Sequence, residues 1–120
     1  MTRHVFQPSR YYNTFATHEP ALYIADGDEV ETTTVDASGH DGNGEAVARG
    51  GNPLTGPFWV EGAEPGGMIS VRIDHLRPNR PTGYGRPVPA AHTVDPGFGV
   101  SLGQGAQSSR VACCIDLEAE

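Results

Sequence analysis

Chain-breaking residues constrain this sequence more than any other feature. It contains 16 Gly and 10 Pro among 120 residues, and only 37% of its residues are apolar. Because Gly and Pro are the two poorest helix formers, long helices have little room in such a chain. The expected fold is therefore all-β, a sandwich or a partial barrel of short strands with long Gly/Pro-rich loops. One β-rich domain over residues 1–120 fits the length.

The charge of the chain disfavours two classes of partner. Its net charge is −7, and all eight cationic residues are arginines. Since an acidic surface repels phosphate groups, we expect neither nucleic acid nor an anionic membrane surface as a partner. The sequence also has no apolar run near the roughly 20 residues that span a bilayer.

The N-terminus and the cysteines indicate a cytoplasmic protein. No apolar run of signal-peptide length follows Arg3. The two cysteines, Cys113 and Cys114, are adjacent, and neighbours in a strand point to opposite faces, so a bridge between them is strained. We interpret them as reduced thiols, which suits an intracellular compartment.

The predicted strands are short and bounded by turn residues. In Met68–Leu76, apolar and polar residues alternate, which makes this the clearest strand pattern in the chain. In the last predicted strand, Arg110–Glu118, the same alternation places four side chains on the inner face: Val111, Cys113, Ile115 and Leu117. The five predicted strands are Ala21–Ala25, Glu29–Ala37, Phe58–Val60, Met68–Leu76 and Arg110–Glu118.

Turns and loops are predicted between these strands. Asp26-Gly27-Asp28 is a hairpin signal, because Asp and Gly accept positive φ. Glu64 to Gly67 has the pattern of a type II turn. Residues 38–51 contain five glycines and predict a loop that is mobile, or ordered only by a ligand or a partner. Residues 77–99 form a long connection that we expect to pack on the domain or to line a site.

Residues 52–65 carry the strongest functional signal. They read Asn-Pro-Leu-Thr-Gly-Pro-Phe-Trp-Val-Glu-Gly-Ala-Glu-Pro, and are called the signature segment below. A turn braced by Pro and Gly leads into a short apolar strand, and the strand leads into Glu61. Gly62 and Ala63 follow this acid and have little or no side chain. The pattern predicts one carboxylate held at a fixed place with open space around it.

The signature segment resembles a motif of the acetamidase/formamidase family, NPxTGPxxVEGAEPGD. Further segments in the same order are similar to that family: residues 20–30, the Thr-Val-Asp-Ala run that ends at Ala37, the strand 68–76 and residues 92–100. Family members are usually more than twice as long as this chain. Their second half carries the His, Asp and Gly residues associated with catalysis. The resemblance therefore indicates an N-terminal half, either a split subunit, a truncated product or a fragment.

The resemblance implies hydrolysis of a short linear amide, such as formamide or acetamide, to a carboxylate and ammonia. That reaction needs an activated water or nucleophile, a group that polarises the carbonyl, and an acid for the departing amine. Carboxylates with a bound divalent metal, zinc or calcium, can supply all three. Glu61 is the first catalytic candidate, as an acid/base group or a metal ligand. Its alternative is an exposed glutamate that caps a backbone amide.

The other candidate residues each have a structural alternative. Asp36 is a catalytic or metal-binding candidate, but it can also end its strand through an Asx-turn. His18 can bind the metal, or be an ordinary surface histidine. Trp59 can line a substrate pocket or an interface. Asn52 can contact the substrate, or can fix the turn of the signature segment through its own backbone.

Two functions remain open at this point. The first is an amide hydrolase that is active once a complementary C-terminal half is supplied. The second is a non-catalytic β domain that acts as an assembly or binding module, including as a homo-oligomer, because unpaired strand edges recruit other strands.

Overall fold

The computed structural model describes residues 1–85 and 110–119. Contacts divide the chain into two units, Met1–Leu76 and Arg77–Glu120. The assignment of residues 1–120 to one domain stays a prediction. Within the described ranges there is no helix, and hence none that is long and apolar enough to cross a membrane. The eight strands are β1 (Arg3–Phe6), β2 (Tyr11–Tyr12), β3 (Leu22–Ile24), β4 (Glu29–Thr32), β5 (Leu54–Thr55), β6 (Phe58–Val60), β7 (Thr82–Gly85) and β8 (Val111–Cys114).

The described fold is all-β, as predicted, and consists of four two-stranded sheets. In the first unit, β1 pairs with β4 in parallel and β3 pairs with β6 in parallel, while β2 and β5 are antiparallel. The strands expected at 21–25, 29–37 and 58–60 are present, although the second is only four residues long. A sandwich or a barrel stays a prediction.

The predicted hairpin at Asp26-Gly27-Asp28 is wrong, although the turn itself forms. The N–H of Asp28 donates to the carbonyl of Ala25 at 3.1 Å, and Gly27 has a φ of 81°. The strands on either side, β3 and β4, then join different sheets. An Asp-Gly turn reverses the chain, but whether the two strands pair is decided by the longer-range partners that compete for their edges.

The two parallel sheets of the first unit are joined by an aromatic contact. The rings of Phe6 in β1 and Phe58 in β6 meet edge to face, with centroids 5.3 Å apart and planes at 89°. Both side chains are half-buried. Among the described residues no hydrophobic side chain is fully buried, so contacts of this partly exposed kind make up the apolar packing.

Residues 38–51, predicted to be mobile or ordered only by a ligand or a partner, form regular hydrogen bonds of their own. Two consecutive five-residue turns with the same hydrogen bonds order the loop, and we call them Asp-turns. In the first, Asp36 Oδ1 accepts the N–H groups of Ser38 and His40, both at 2.9 Å. The N–H of Asp36 donates to the carbonyl of His40, and the N–H of Gly39 donates to that of Asp36.

The second Asp-turn repeats this arrangement five residues later. Asp41 Oδ1 accepts the N–H groups of Asn43 and Glu45, both at 2.9 Å. Gly44 occupies the place of Gly39, and both glycines are left-handed, with φ values of 80° and 88°. The two aspartates therefore satisfy backbone N–H groups of the loop.

The end of the first unit contains one confirmed turn and one strand that does not form. Gly67 donates its N–H to the carbonyl of Glu64 at 2.9 Å and Gly66 has a φ of 86°, as a type II turn requires. Met68–Leu76, however, forms no strand, and its side chains are exposed. The prediction was wrong because alternation fixes which side chains share a face, whereas a strand also needs a partner, and none of the described strands pairs with this segment.

In the second unit, β7 pairs antiparallel with β8, with Tyr84 opposite Ala112. The last strand spans four residues instead of the nine predicted, and its residues are exposed, so the inward face expected from Val111 is wrong. Cys113 and Cys114 are both unbridged, and their interpretation as reduced thiols stays a prediction. The predicted connection 77–99 lies partly in residues 86–109, which are outside the described ranges. The segment 92–100, which resembles the family, lies wholly within residues 86–109.

Candidate functional site

The acid of the signature segment lies at the end of the β3–β6 ladder. The backbone N–H of Glu61 donates to the carbonyl of Ile24 at 2.8 Å, which extends the pairing one residue past β6. The side chain of Glu61 is exposed. The next residue, Gly62, has a φ of 77°, and a Cβ built there would meet no atom within 4 Å. Glu61 is therefore fixed through its backbone and has open space on its C-terminal side.

Two aromatic side chains lie next to each other on the same ladder. Tyr23 and Trp59 are opposite each other in the parallel register, and their ring centroids are 6.3 Å apart with planes at 43°. They are 59% and 53% exposed, so together they form a small aromatic surface open to solvent. We call Tyr23 and Trp59 the aromatic pair. Sequence reasoning found Trp59 but missed Tyr23.

Asn52 lies in the turn that begins the signature segment. Its backbone is left-handed, with a φ of 57°, and its N–H donates to the carbonyl of Ala37 at 3.1 Å. The following Pro53 is buried, as is Gly56, and the Gly56–Pro57 peptide is cis. Asn is one of the few non-glycine residues that adopt a positive φ readily. This backbone supports the turn-fixing alternative, and substrate contact by Asn52 stays a prediction.

Asp36 takes part in the first Asp-turn. Its Oδ1 accepts two backbone N–H groups, and the ring Nδ1 of His40 lies 3.4 Å from the same oxygen without hydrogen-bond geometry. Both side chains are half-buried. The Asx-turn alternative is therefore present at Asp36, although it does not end the strand, since β4 ends at Thr32. Catalysis or metal binding by Asp36 stays a prediction.

His18 is held by its neighbours in sequence. Its ring stacks on that of Tyr12, with centroids 3.8 Å apart and planes at 12°. Its Nε2 lies 3.0 Å from Thr14 Oγ1 and 3.2 Å from the Thr14 carbonyl oxygen. A metal ion at Nε2 would have to displace these contacts. The role of His18 as a metal ligand stays a prediction.

The structure does not gather the predicted metal ligands into one site. In the part of the chain that is described, no group of three or more His, Cys, Asp or Glu residues is placed to hold a metal ion. Asp36 and His18 have the local partners given above, and a metal centre that includes them stays a prediction. What the structure does bring together is the aromatic pair and Glu61, on one two-stranded ladder.

A second polar cluster escaped sequence reasoning. The carboxylate of Asp28 accepts hydrogen bonds from the N–H groups of Thr2 and Ala25, at 2.7 and 3.1 Å, and its Oδ2 lies 3.0 Å from His4 Nε2. These bonds hold the pKa of Asp28 down at about 2, with the His4 contact as the largest cause. His4 and Asp28 are 24 residues apart, and no local pattern links them.

The comparisons with other proteins add no family to these observations. No protein-family model, no curated protein and no solved structure matches this chain.

Proposed function

We propose that this chain is part of an amide hydrolase that acts on short linear amides and is completed by a further polypeptide segment. The observation that supports this most is the position of Glu61, which is fixed by the Ile24 carbonyl and followed by open space at Gly62. The backbone bond fixes the point from which the exposed Glu61 side chain leaves the ladder, and the open space lets water and substrate approach its carboxylate, as a general base requires. The resemblance of the signature segment to acetamidases and formamidases indicates that the reaction is amide hydrolysis.

In the proposed reaction, the Glu61 carboxylate takes a proton from a water molecule as its oxygen attacks the amide carbonyl carbon. The carbonyl π electrons move to the oxygen, and a tetrahedral intermediate forms. Protonated Glu61 then gives the proton to the amide nitrogen, the C–N bond breaks, and the carboxylic acid and ammonia leave. The acid then loses its proton, which ammonia takes up as ammonium in solution. We propose that the completing segment supplies the hydrogen-bond donors that stabilise the oxyanion of this intermediate. It would also supply the further catalytic residues that the resemblance implies.

The aromatic pair is the proposed substrate surface. A planar amide with a short alkyl group presents a flat, weakly polar face, which suits contact with Trp59 and Tyr23. Both lie on the ladder that ends at Glu61, so a substrate that rests on them is next to the acid. The steps above are written without a divalent metal, and Asp36 and His18 stay its proposed ligands. A cytoplasmic location is part of the proposal and agrees with the two unbridged cysteines.

Co-expression with a complementary C-terminal half from an acetamidase/formamidase tests the proposal. The complex is expected to release ammonia from formamide and acetamide. Glu61→Gln should lower kcat by about 100-fold or more, the usual contribution of a general base. Glu64→Gln is the matched control, since Glu64 is an exposed acid three residues further along, and it should leave the rate unchanged. A folded complex without amidase activity, or an active Glu61→Gln variant, contradicts the proposal.

A second candidate function is a non-catalytic assembly module. The observation that favours it is the exposed apolar face of residues 68–76, which an enzyme surface does not require. Light scattering on the purified chain separates the two candidates together with the ammonia assay. An oligomer that hydrolyses no amide in any combination favours the assembly module, whereas an active complex favours the hydrolase.

A further inference from the structure

The segment Met68–Leu76 exposes an apolar face that the proposed hydrolase does not use. The side chains of Ile69, Val71 and Ile73 alternate along it and are 59%, 79% and 72% exposed. The backbone runs from residue 67 to residue 78 without a turn or a bend. Three β-branched residues at a spacing of two are typical of a strand face that packs against another strand.

The opposite face of the segment carries an ion pair that reports its backbone geometry. Arg72 Nε donates to Asp74 Oδ1 at 2.5 Å, and both side chains are largely exposed. Side chains two residues apart lie on the same side only where the chain is extended. The segment is therefore already shaped as a strand, with charged and apolar residues on separate faces.

The backbone of this segment is not part of any described ladder. Within residues 1–85 and 110–119, no strand pairs with residues 68–76. An extended segment with free N–H and C=O groups is a template for a further strand. The remaining question is which strand fits, and the charges on the polar face answer it.

We propose that residues 68–76 pair with the same segment of a second copy, antiparallel and in the register that places Ile73 opposite Ile73. In that register Arg72 of each copy lies opposite Asp74 of the other, so two ion pairs form across the strands. Val71 and His75 also lie opposite each other. A register shifted by one residue, centred on Arg72, instead places two arginines face to face, which is unfavourable. In this register the segment is complementary to itself in charge, and Ile73 packs against its own copy.

This dimer deepens the second candidate function, the assembly module, and does not depend on the proposed hydrolase. Amidase activity is measured by ammonia release, whereas dimer formation is measured by the molecular mass in solution. Either proposal can therefore be contradicted without affecting the other. A contact of two short strands is weak. The association is therefore measured over a concentration series at about 0.15 M salt, where repulsion between the acidic copies is screened beyond about 8 Å.

Sedimentation equilibrium of the full chain is the first experiment. The mass is expected to rise from monomer to dimer with concentration. Ile73→Lys places two ammonium groups opposite each other and should weaken the dimer at least tenfold. Because Ile73 is exposed, the substitution does not threaten folding. Phe15→Lys is the matched control, since Phe15 is 96% exposed and lies outside the segment, and it should leave the dimer intact. A chain that stays monomeric throughout, or an Ile73→Lys dimer of unchanged strength, overturns the proposal.

Charge reversal tests the pairing of Arg72 with Asp74. Arg72→Asp alone places acids opposite acids, and Asp74→Arg alone places arginines opposite arginines, so each should weaken the dimer. The double variant R72D/D74R restores opposite charges at both positions and should recover most of the lost affinity. Two single variants that weaken the dimer without recovery in the double variant rule out this register.

Cysteine cross-linking tests the register directly, in a Cys113→Ser, Cys114→Ser background that removes the two exposed native thiols. Residues directly opposite in an antiparallel pair have Cα atoms about 4.5–5.5 Å apart, within reach of a disulfide. Ile73→Cys should therefore form a disulfide-linked dimer on mild oxidation. Ile69→Cys is the control, because its two copies would be about 27 Å apart. Equal cross-linking at both positions is incompatible with the proposed pairing.

Discussion

His4 Nε2 lies 3.0 Å from Asp28 Oδ2, and this contact fastens the N-terminal strand to the turn between β3 and β4. The same carboxylate accepts the N–H of Thr2 and the N–H of Ala25. Asp28 thus connects the N-terminal segment to the turn after β3, at the point where β1 begins to pair with β4. One carboxylate with three donors supports the parallel register of this sheet.

This arrangement predicts acid sensitivity. The three hydrogen bonds hold the pKa of Asp28 at about 2, below its usual value of 3.8. Since the unfolded chain takes up this proton first, the stabilisation by Asp28 is fully present above pH 3.8 and is lost as the pH falls towards 2. Thermal unfolding followed from about pH 5 to about pH 2 should show a steep fall in Tm, and a shallower one in Asp28→Asn.

Two further variants isolate the cause of this pH dependence. In His4→Ala, the carboxyl titration of Asp28 followed by NMR should move up from about 2 towards 3.8, because the largest cause of the shift is removed. Asp26→Asn, which removes an exposed carboxylate from the same turn, should keep the slope of the parent chain. An Asp28 titration that is the same with and without His4 would show that the backbone donors alone set its pKa.

The two Asp-turns provide a matched pair of glycine substitutions. Gly39 and Gly44 occupy the same place in each turn and have nearly the same φ. A Cβ on Gly39 would lie 2.0 Å from the carbonyl oxygen of Ala48, while one on Gly44 would meet nothing within 4 Å. Gly44→Ala should therefore cost only the left-handed backbone penalty, about 1–2 kcal/mol. Gly39→Ala should cost about 1–3 kcal/mol more, because the loop must move away from the new methyl group. Urea unfolding of both variants measures the difference, and equal costs would contradict the close packing against Ala48.

Local sequence patterns predicted the elements of this chain better than their partners. The strands at Leu22–Ile24 and Phe58–Val60 and the turn at Glu64 to Gly67 each depend on a few adjacent residues, and all three form. The pairing of the two strands depends on residues more than 30 positions apart. Their shared order, apolar then aromatic then apolar, was a signal that Tyr23 and Trp59 could lie opposite each other.

The Asp-turns show what a closer inspection of the sequence could have predicted. Asp36-Ala37-Ser38-Gly39-His40 and Asp41-Gly42-Asn43-Gly44-Glu45 share an aspartate and a glycine three residues later. Counting the glycines alone indicated mobility, whereas the spacing of aspartate and glycine specifies a hydrogen-bonded turn. The same pattern explains why Asp36, a candidate for catalysis, serves its own backbone.

The order of this loop is expected to depend on each aspartate separately. Asp36→Ala removes the acceptor of two backbone N–H groups, at about 1 kcal/mol each, so the Ser38 and His40 amides should lose protection from hydrogen exchange. Asp41→Ala should expose the Asn43 and Glu45 amides instead. Asp36→Asn keeps an oxygen acceptor and should retain most of the protection. Loss of protection across the whole loop in every variant would contradict two independent turns.

The edge-to-face contact of Phe6 and Phe58 is expected to couple the two parallel sheets energetically. Each ring is half-buried, so Phe6→Leu and Phe58→Leu should each destabilise the chain modestly, by about 1 kcal/mol. The contact itself should appear as a coupling of about 0.5–1.5 kcal/mol in the double-mutant cycle, since the geometry of 5.3 Å and 89° is the favourable one for aromatic rings. Urea unfolding of the parent, the two single variants and the double variant gives this coupling. A parallel cycle on Tyr23 and Trp59, whose rings are further apart and more exposed, should give a smaller value. If the two cycles gave the same coupling, the Phe6–Phe58 contact would hold the sheets together no more than the exposed pair does.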